Sequence, residues 1–190
     1  MRYFIGFLVT IGLIILLIVL LFGGGGKSNK SVPKPLTSYS TTDAQVSLTI
    51  DGPVNADQNH KQSQIIIDNG QATYQQLQGY DGQIISSESF NNTQASFYVF
   101  LRALETAGFT HGDTSSSLSN ERGICPLGTR YIVKLTQDGN DIERFWVTSC
   151  GGTKTYEGNI ALTIKLFEAQ IPNYAKLVPS SVTTTPSSAF

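Results

Sequence analysis

The chain has 190 residues, a formal net charge of −1 and only 14% charged residues. An average soluble domain has roughly 25% charged residues, so Ser, Thr, Gln, Asn and Gly must form most of the polar surface here. The basic residues nearest the N-terminus are Arg2, Lys27, Lys30 and Lys34. No clustered basic stripe remains elsewhere, which argues against nucleic-acid binding.

An apolar run of 20 residues, Tyr3 to Phe22, opens the chain. At about 1.5 Å per residue, a helix over this run reaches roughly 30 Å, the thickness of the bilayer hydrocarbon. A cleaved signal peptide is the alternative, but its apolar region usually has only about 7 to 15 residues. We predict a transmembrane anchor over residues 1–22, with the lipid bilayer as its partner.

Two arguments about membrane orientation conflict. The lysines that follow the apolar run favour a cytoplasmic C-terminal domain. The only two cysteines, Cys125 and Cys150, flank a predicted hairpin that would bring them together, and such a pair favours an oxidising compartment. We predict a single-pass protein of the cell membrane, with its N-terminus in the cytoplasm and its C-terminal domain outside.

Composition divides the rest of the chain into three parts. Residues 23–43 are rich in Gly, Ser, Thr, Lys and Pro, which is typical of a flexible linker. Residues 44–177 are long enough for one hydrophobic core and form the predicted globular domain. Residues 178–190 lack periodicity and are predicted to be a disordered Ser/Thr/Pro tail.

Alternating apolar residues predict several strands in the first half of the domain. The first covers residues 46–50. The next two flank Asn69-Gly70, a favoured two-residue turn that would place Ile67 opposite Ala72 and Ile65 opposite Tyr74. A fourth strand is predicted over residues 83–89.

Helical spacing of apolar residues predicts two helices. The first would be capped by Asn91 or Asn92 and run to about Ala107, with Gly108 as its stop. The second would start near Asn159 and stop at Pro172.

A second hairpin is predicted over residues 130–137 and 140–148, around the turn Asp138-Gly139. A simple two-residue turn would place Leu135 opposite Ile142, Tyr131 opposite Trp146, and Lys134 opposite Glu143 as an ion pair. The same register brings Cys150 near Cys125, which predicts a disulfide. Two free buried thiols are the alternative, and two cysteines without a nearby His are too few ligands to predict a metal site.

Together these elements predict an α+β domain in which a mainly antiparallel sheet of five to six strands packs against two helices. The sequences FWVTSC (residues 145–150) and LFEAQIPNY (residues 166–174) accompany the anchor and the linker. In these stretches, about the last third of the chain plus the anchor, it resembles uncharacterised membrane-anchored proteins of small-genome, Saccharibacteria-like bacteria. The resemblance implies a membrane location and no particular chemistry.

Catalytic motifs are weak in this sequence. His111 and Asp113 could pair an imidazole with a carboxylate close to Ser115 and Ser117, but no Gly-x-Ser-x-Gly nucleophile turn is present. The sequence also lacks a Cys-x-x-Cys motif and a dinucleotide-binding fingerprint. We therefore predict no catalytic residues and no cofactor.

The segment 110–128 is long for a loop in a compact domain, and such loops often carry function. Its candidate functional residues are His111, Asp113, Arg122, Pro126 and Leu127. The leading hypothesis is a membrane-tethered extracytoplasmic binding or assembly module without catalytic activity, which binds a surface protein, a glycan or another envelope component. The alternatives are a protease inhibitor with a disulfide-pinned loop, a small hydrolase, and a subunit of a membrane complex.

Overall fold

A computed structural model describes residues 34–178. The predicted anchor, all but the last part of the predicted linker, and tail residues 179–190 lie outside this range. Within residues 34–178, no helix has both the length and the apolar character needed to cross a membrane.

Six antiparallel strands form one sheet in the order β4-β3-β2-β1-β5-β6. The strands are β1 (Gln45–Asp51), β2 (Lys61–Ile67), β3 (Gln71–Gln78), β4 (Gln83–Asn91), β5 (Arg130–Gln137) and β6 (Asn140–Thr148). The predicted α+β class and the antiparallel sheet are confirmed. Strands β1 and β5 pair directly although they are far apart in sequence, so a long connection from β4 to β5 links the first four strands to the last two.

The first hairpin has the predicted register, with Ile67 opposite Ala72 and Ile65 opposite Tyr74. Its turn is stabilised by Asp68, whose Oδ1 accepts hydrogen bonds of 2.7 Å from the backbone N–H groups of both Gly70 and Gln71. This Asp satisfies two donors at the point where the ladder ends, which fixes the register locally.

The predicted register of the second hairpin is wrong by one residue. Leu135 lies opposite Glu143, and Ile132 lies opposite Trp146, because the pairing is irregular between Leu135 and Thr136. The extra residue is Ile142, a bulge that a simple two-residue turn does not anticipate. The predicted Lys134–Glu143 pair is replaced by a contact of 2.9 Å between Lys134 Nζ and Asp141 Oδ1.

Three α-helices and short 3-10 segments complete the domain. The α-helices are α1 (Gln94–Thr106), α2 (Ile160–Glu168) and the single turn α3 (Tyr174–Leu177), and the first 3-10 helix is Leu36–Thr41. The cap of α1 is Thr93 rather than Asn91 or Asn92, since Thr93 Oγ1 accepts from Ser96 N at 3.2 Å. α2 begins near Asn159 as predicted, and Asn159 caps it, since its Oδ1 accepts from Leu162 N at 3.0 Å.

The hydrophobic core lies between the helices and one face of the sheet. Alternate residues of the strands point into it, together with one stripe of α1. Its largest members include Leu48, Ile65, Phe97, Leu101, Phe145 and Phe167. Phe100 and Phe167 meet edge to face at 5.2 Å between ring centroids, which joins α1 to α2.

The opposite face of the sheet is covered only in part. Over β6, the segment that follows α1 closes on Trp146, whose Nε1–H donates to the carbonyl of Leu118 at 2.8 Å. The single Trp of the chain is therefore completely buried, although it faces away from the main core. Over β1 and β2 this face stays polar, as the hydrogen bond of 3.1 Å from Gln64 to Thr49 illustrates.

Candidate binding surface

Three loops lie side by side at one end of the sheet. They are residues 52–57 after β1, residues 79–82 between β3 and β4, and residues 125–128 before β5, and their adjacency follows from the strand order. We call these three loops the disulfide end. Val54 N donates to Pro126 O at 2.7 Å, which ties the first loop to the third.

A charged cluster is buried directly beneath the disulfide end. Asp51 contacts two basic residues through its two oxygens: Oδ1 lies 2.8 Å from His60 Nε2, and Oδ2 lies 2.9 Å from Arg130 Nε. His60 is fully buried and Arg130 almost so. The Arg130 Nη2 group also donates to the carbonyl of Gly52 at 2.7 Å, so one guanidinium holds the end of β1 and the first residue of the loop that follows.

The attraction between Asp51 and Arg130 is mainly between their charges. Neither Asp51 Oδ1 nor Arg130 Nε is aligned for a hydrogen bond, despite the short distances. In a buried setting with little water, charges at this separation attract far more strongly than on an exposed surface. The cluster therefore joins β1, β2 and β5 at the point where the three loops begin.

Tyr80 links the second loop to the first. Its ring stacks on the His60 ring, with centroids 4.1 Å apart. Its hydroxyl donates to the carbonyl of Asn55 at 2.9 Å and accepts from Asn55 N at 3.1 Å. The backbone N–H of Tyr80 donates to Asp57 Oδ1 at 2.8 Å. These bonds leave the loops little freedom to move separately.

The third loop is a tight turn pinned by a disulfide. Cys125 and Cys150 are bonded, with their Cα atoms 5.8 Å apart, as predicted from the sequence. Gly128 N donates to Cys125 O at 3.1 Å, and Cys125 has a left-handed backbone with φ 55°. A side chain at Gly128 would meet the Cys125 sulfur at 2.3 Å, so only glycine fits beside the disulfide.

Large apolar side chains project from these fixed loops. Leu127 is 87% exposed, Val54 is 44% exposed and Tyr80 is 42% exposed. Pro126, between the disulfide and Leu127, is also exposed. Single exposed apolar residues are common, but here one sits on each of three loops that are bonded to one another.

The buried histidine lacks the environment of a catalytic base. Its ring contacts are Asp51 Oδ1 at Nε2, the carbonyl of Pro53 at 3.2 Å from Nδ1, and the amide of Gln62 at 3.3 Å from Nε2. None of these groups is a nucleophile, and the ring has no exposed edge. The geometry suits a residue that positions loops.

The structure does not bring together the predicted residues of the long loop. His111 and Asp113 are both exposed, and Asp113 Oδ1 instead accepts from Ser115 N at 2.8 Å. Arg122 is exposed and lies in a turn in which its backbone N–H donates to Asn120 Oδ1. Only Pro126 and Leu127 of the five candidates lie at the disulfide end.

The long segment between α1 and β5 is anchored along the outer face of β6. Arg144 donates to the carbonyl of Ser119 at 2.9 Å and forms an ion pair with Glu121 at 2.6 Å. Together with the disulfide and the hydrogen bond from Trp146 to the carbonyl of Leu118, these contacts hold most of the segment in place. The segment includes a short 3-10 helix, Ser116–Leu118.

Glu143 on β6 interacts electrostatically with the predicted residue His111. Partial burial raises the pKa of Glu143 above its ordinary value, and the charge of His111 opposes this rise. A raised carboxyl pKa means that the charged form costs stability at neutral pH, a cost that disappears as the pH falls through the folded-state pKa. Neither group has a nucleophile or a metal ligand set around it among the residues described.

Sequence reasoning missed Asp51, His60 and Arg130 as a group. Asp51 and Arg130 lie at strand ends that are far apart in the chain, and only the direct pairing of β1 with β5 brings them together. Asp51 and Arg130 each lie at the end of a predicted strand, and His60 lies in a predicted polar loop, where charged and polar residues are ordinary.

Comparison with models of known protein families and with curated proteins found no match to this chain.

Proposed function

We propose that this protein is a membrane-tethered extracytoplasmic module without catalytic activity that binds another protein through the disulfide end. The observation that carries the proposal is the set of three exposed apolar side chains, Val54, Tyr80 and Leu127, on loops locked to one another. Side chains that are already held in position lose less entropy on association, so such a surface gains more affinity from the area that it buries.

The chemistry of the surface favours a protein partner. Leu127, Val54 and Pro126 are aliphatic, and the fully buried core of a protein interface is more apolar than the rest of the protein surface. One face of the Tyr80 ring is already occupied by His60, and its hydroxyl is bonded to Asn55. A glycan site would need free polar groups beside an open aromatic face.

The disulfide and the sequence outside the described residues support the proposed location. A bonded Cys pair is typical of an exported domain. The apolar run of residues 3–22 and the resemblance to membrane-anchored bacterial proteins support a tether rather than a free secreted protein.

The turn at residues 125–128 weighs against the protease-inhibitor alternative. Inhibitors that act as substrate mimics present an extended loop, because a protease binds its substrate as an added strand. Here the chain turns back within four residues through the bond from Gly128 N to Cys125 O. Leu127 is therefore presented as a projecting side chain rather than as part of an extended backbone.

Site-specific photo-crosslinking tests this proposal. A photo-reactive amino acid at position 127 of the full chain, in its native cells, should give a discrete protein adduct. The matched control is position 162, another exposed leucine, which is 40% exposed on α2. We expect an adduct at position 127 only, and we expect Val54→Asp to reduce its yield at least tenfold by placing a charge in the interface.

Two results would contradict the proposal. Equal adducts at positions 127 and 162 would indicate nonspecific contact. Adducts with lipid alone at position 127 would indicate that the disulfide end touches the membrane instead of a protein.

A further inference from the structure

A groove lies between the first 3-10 helix (Leu36–Thr41) and the N-terminal half of α1. It has a volume of about 1010 Å³ and is open to solvent, and its lining residues come from segments 37–41 and 93–99. Binding sites for small ligands usually have volumes of about 300–1,000 Å³. The groove is therefore large enough for an extended ligand.

The walls of this groove are held in position. Leu36 at the start of the 3-10 helix is buried, and its backbone N–H donates to Glu105 Oε1 of α1 at 3.2 Å. At the other end of the groove, the cap residue Thr93 fixes the first turn of α1. Side chains on walls that are already ordered lose less entropy when a ligand binds.

The two segments that line the groove contain no charged residue. Residues 37–41 read TSYST, and residues 93–99 read TQASFYV. A charged ligand would give up hydration on entering the groove without meeting a counter-charge there. The lining therefore favours an uncharged ligand.

Four lining side chains keep their hydrogen-bonding capacity. Within residues 34–178, no hydrogen bond uses the hydroxyl groups of Thr37, Ser40 and Thr41 or the amide of Gln94. A hydroxyl can both donate and accept, and an amide does so through separate atoms. These groups suit a ligand that itself carries many hydroxyls.

Ser40 is the most informative of the four residues. It is only 4% exposed, yet its hydroxyl has no partner within the described range, and its oxygen is not sealed from solvent. Buried polar groups are normally hydrogen-bonded. Because Ser40 lines the groove, a polar ligand seated there would supply the missing partner.

Tyr98 gives the groove an open aromatic surface. Its side chain is 45% exposed, and neither its ring nor its hydroxyl has a partner among residues 34–178. Gln94 precedes it by one turn on the same face of α1. A sugar ring has an apolar C–H face that packs on an aromatic ring and hydroxyls that bond to a neighbouring amide. Tyr80 at the disulfide end differs, because His60 and Asn55 already occupy its ring and its hydroxyl.

We propose that this groove is a second binding site and that its ligand is an uncharged oligosaccharide. A protein segment is the less favoured occupant, because the core of a protein interface is mainly apolar, whereas this groove presents unused hydroxyl groups beside Tyr98. The groove shares no residue with the disulfide end, so one domain would bind a protein and a glycan at separate places.

Calorimetric titration of the full chain, in micelles of a detergent without a sugar head group, tests this proposal. The probes are the hexasaccharides of glucose, mannose and N-acetylglucosamine, with the hexasaccharide of galacturonic acid as the charged comparison. We expect at least one uncharged probe to bind and the charged one not to bind. Tyr98→Ala should weaken binding about tenfold and Ser40→Ala about threefold.

Tyr80→Ala is the matched control. It removes a tyrosine that is 42% exposed, but at the disulfide end, and it should leave the affinity for the oligosaccharide unchanged. Alanine is the strongest helix former, so Tyr98→Ala should keep α1 intact. The same variant should leave the crosslink at position 127 unchanged, which separates the test of the groove from that of the proposed protein site.

Three outcomes would overturn the proposal. The first is that no uncharged hexasaccharide binds, or that only the galacturonic acid probe does. The second is an equal loss of affinity in Tyr98→Ala and Tyr80→Ala. The third is a discrete protein adduct from a photo-reactive residue at position 98 in native cells, which would assign the groove to a protein segment.

Discussion

Replacement of Asp51 by Asn is expected to lower the free energy of unfolding by about 3 kcal/mol, because it leaves the buried guanidinium of Arg130 without its counter-charge. Arg130 and His60 both contact the Asp51 carboxylate and have almost no exposed surface. The measurement is guanidinium unfolding of the full chain in micelles, followed by the fluorescence of Trp146, the only tryptophan.

Asp141→Asn is the matched control for this prediction. This change also removes the carboxylate that contacts a cation, here Lys134. The Lys134 side chain is 30% exposed and the Asp141 side chain 42% exposed, and exposed ion pairs contribute only about 0–1 kcal/mol to stability. The double variant Asp51→Asn/Arg130→Met should lose less than the sum of its single changes, because it removes the unpaired charge as well. Equal small losses for Asp51→Asn and Asp141→Asn would show that the cluster does not hold the fold.

Removal of the disulfide is expected to have a comparable effect. Cys125 and Cys150 are 25 positions apart, and closing a loop of this length stabilises a fold by about 3.5 kcal/mol through the entropy of the unfolded chain. The double variant Cys125→Ser/Cys150→Ser should lose about that amount in the same unfolding measurement. It should also lose the crosslink at position 127, since the turn would no longer be fixed.

The reduced wild-type protein is the natural control for the serine variant. Both lack the covalent bond, so their unfolding midpoints should agree closely. If the reduced protein matched the oxidised protein instead, the bond would add nothing to stability, and the order of the disulfide end would have to come from the Asp51 cluster and the Val54–Pro126 hydrogen bond alone.

Local signals in the sequence were sufficient for much of the fold. The strand pairing of Ile65 with Tyr74 follows from an Asn-Gly turn between apolar runs, and the start of α2 near Asn159 follows from the helical spacing of apolar residues. The disulfide followed from the proximity of two strand ends. Each of these features depends on residues that lie close together in the chain or in one hairpin.

The errors have equally specific causes. The bulge at Ile142 changed the register of the second hairpin, and a bulge has no clear signature in a polar turn of this kind. Thr93 caps α1 although Asn91 precedes it, because β4 continues to Asn91 and the helix begins later. Propensity ranks these cap residues too closely to place a boundary within two positions.

The candidate surface was predicted only in part. Pro126 and Leu127 were selected because they follow a cysteine in a long loop, and both are exposed at the disulfide end. Val54 and Tyr80 were not selected, because their proximity depends on the pairing of four strands and on the Tyr80–His60 stack. His111, Asp113 and Arg122 were selected for their chemistry, but the structure does not assemble them into a site.

We propose that the domain acts outside the cell membrane with its disulfide formed. Labelling of intact cells with a membrane-impermeant maleimide, with and without prior reduction by an impermeant reductant, is the decisive experiment. We expect labelling of Cys125 and Cys150 only after reduction. Absence of labelling in both conditions, together with free thiols after lysis, would place the domain in the cytoplasm and refute the proposed location.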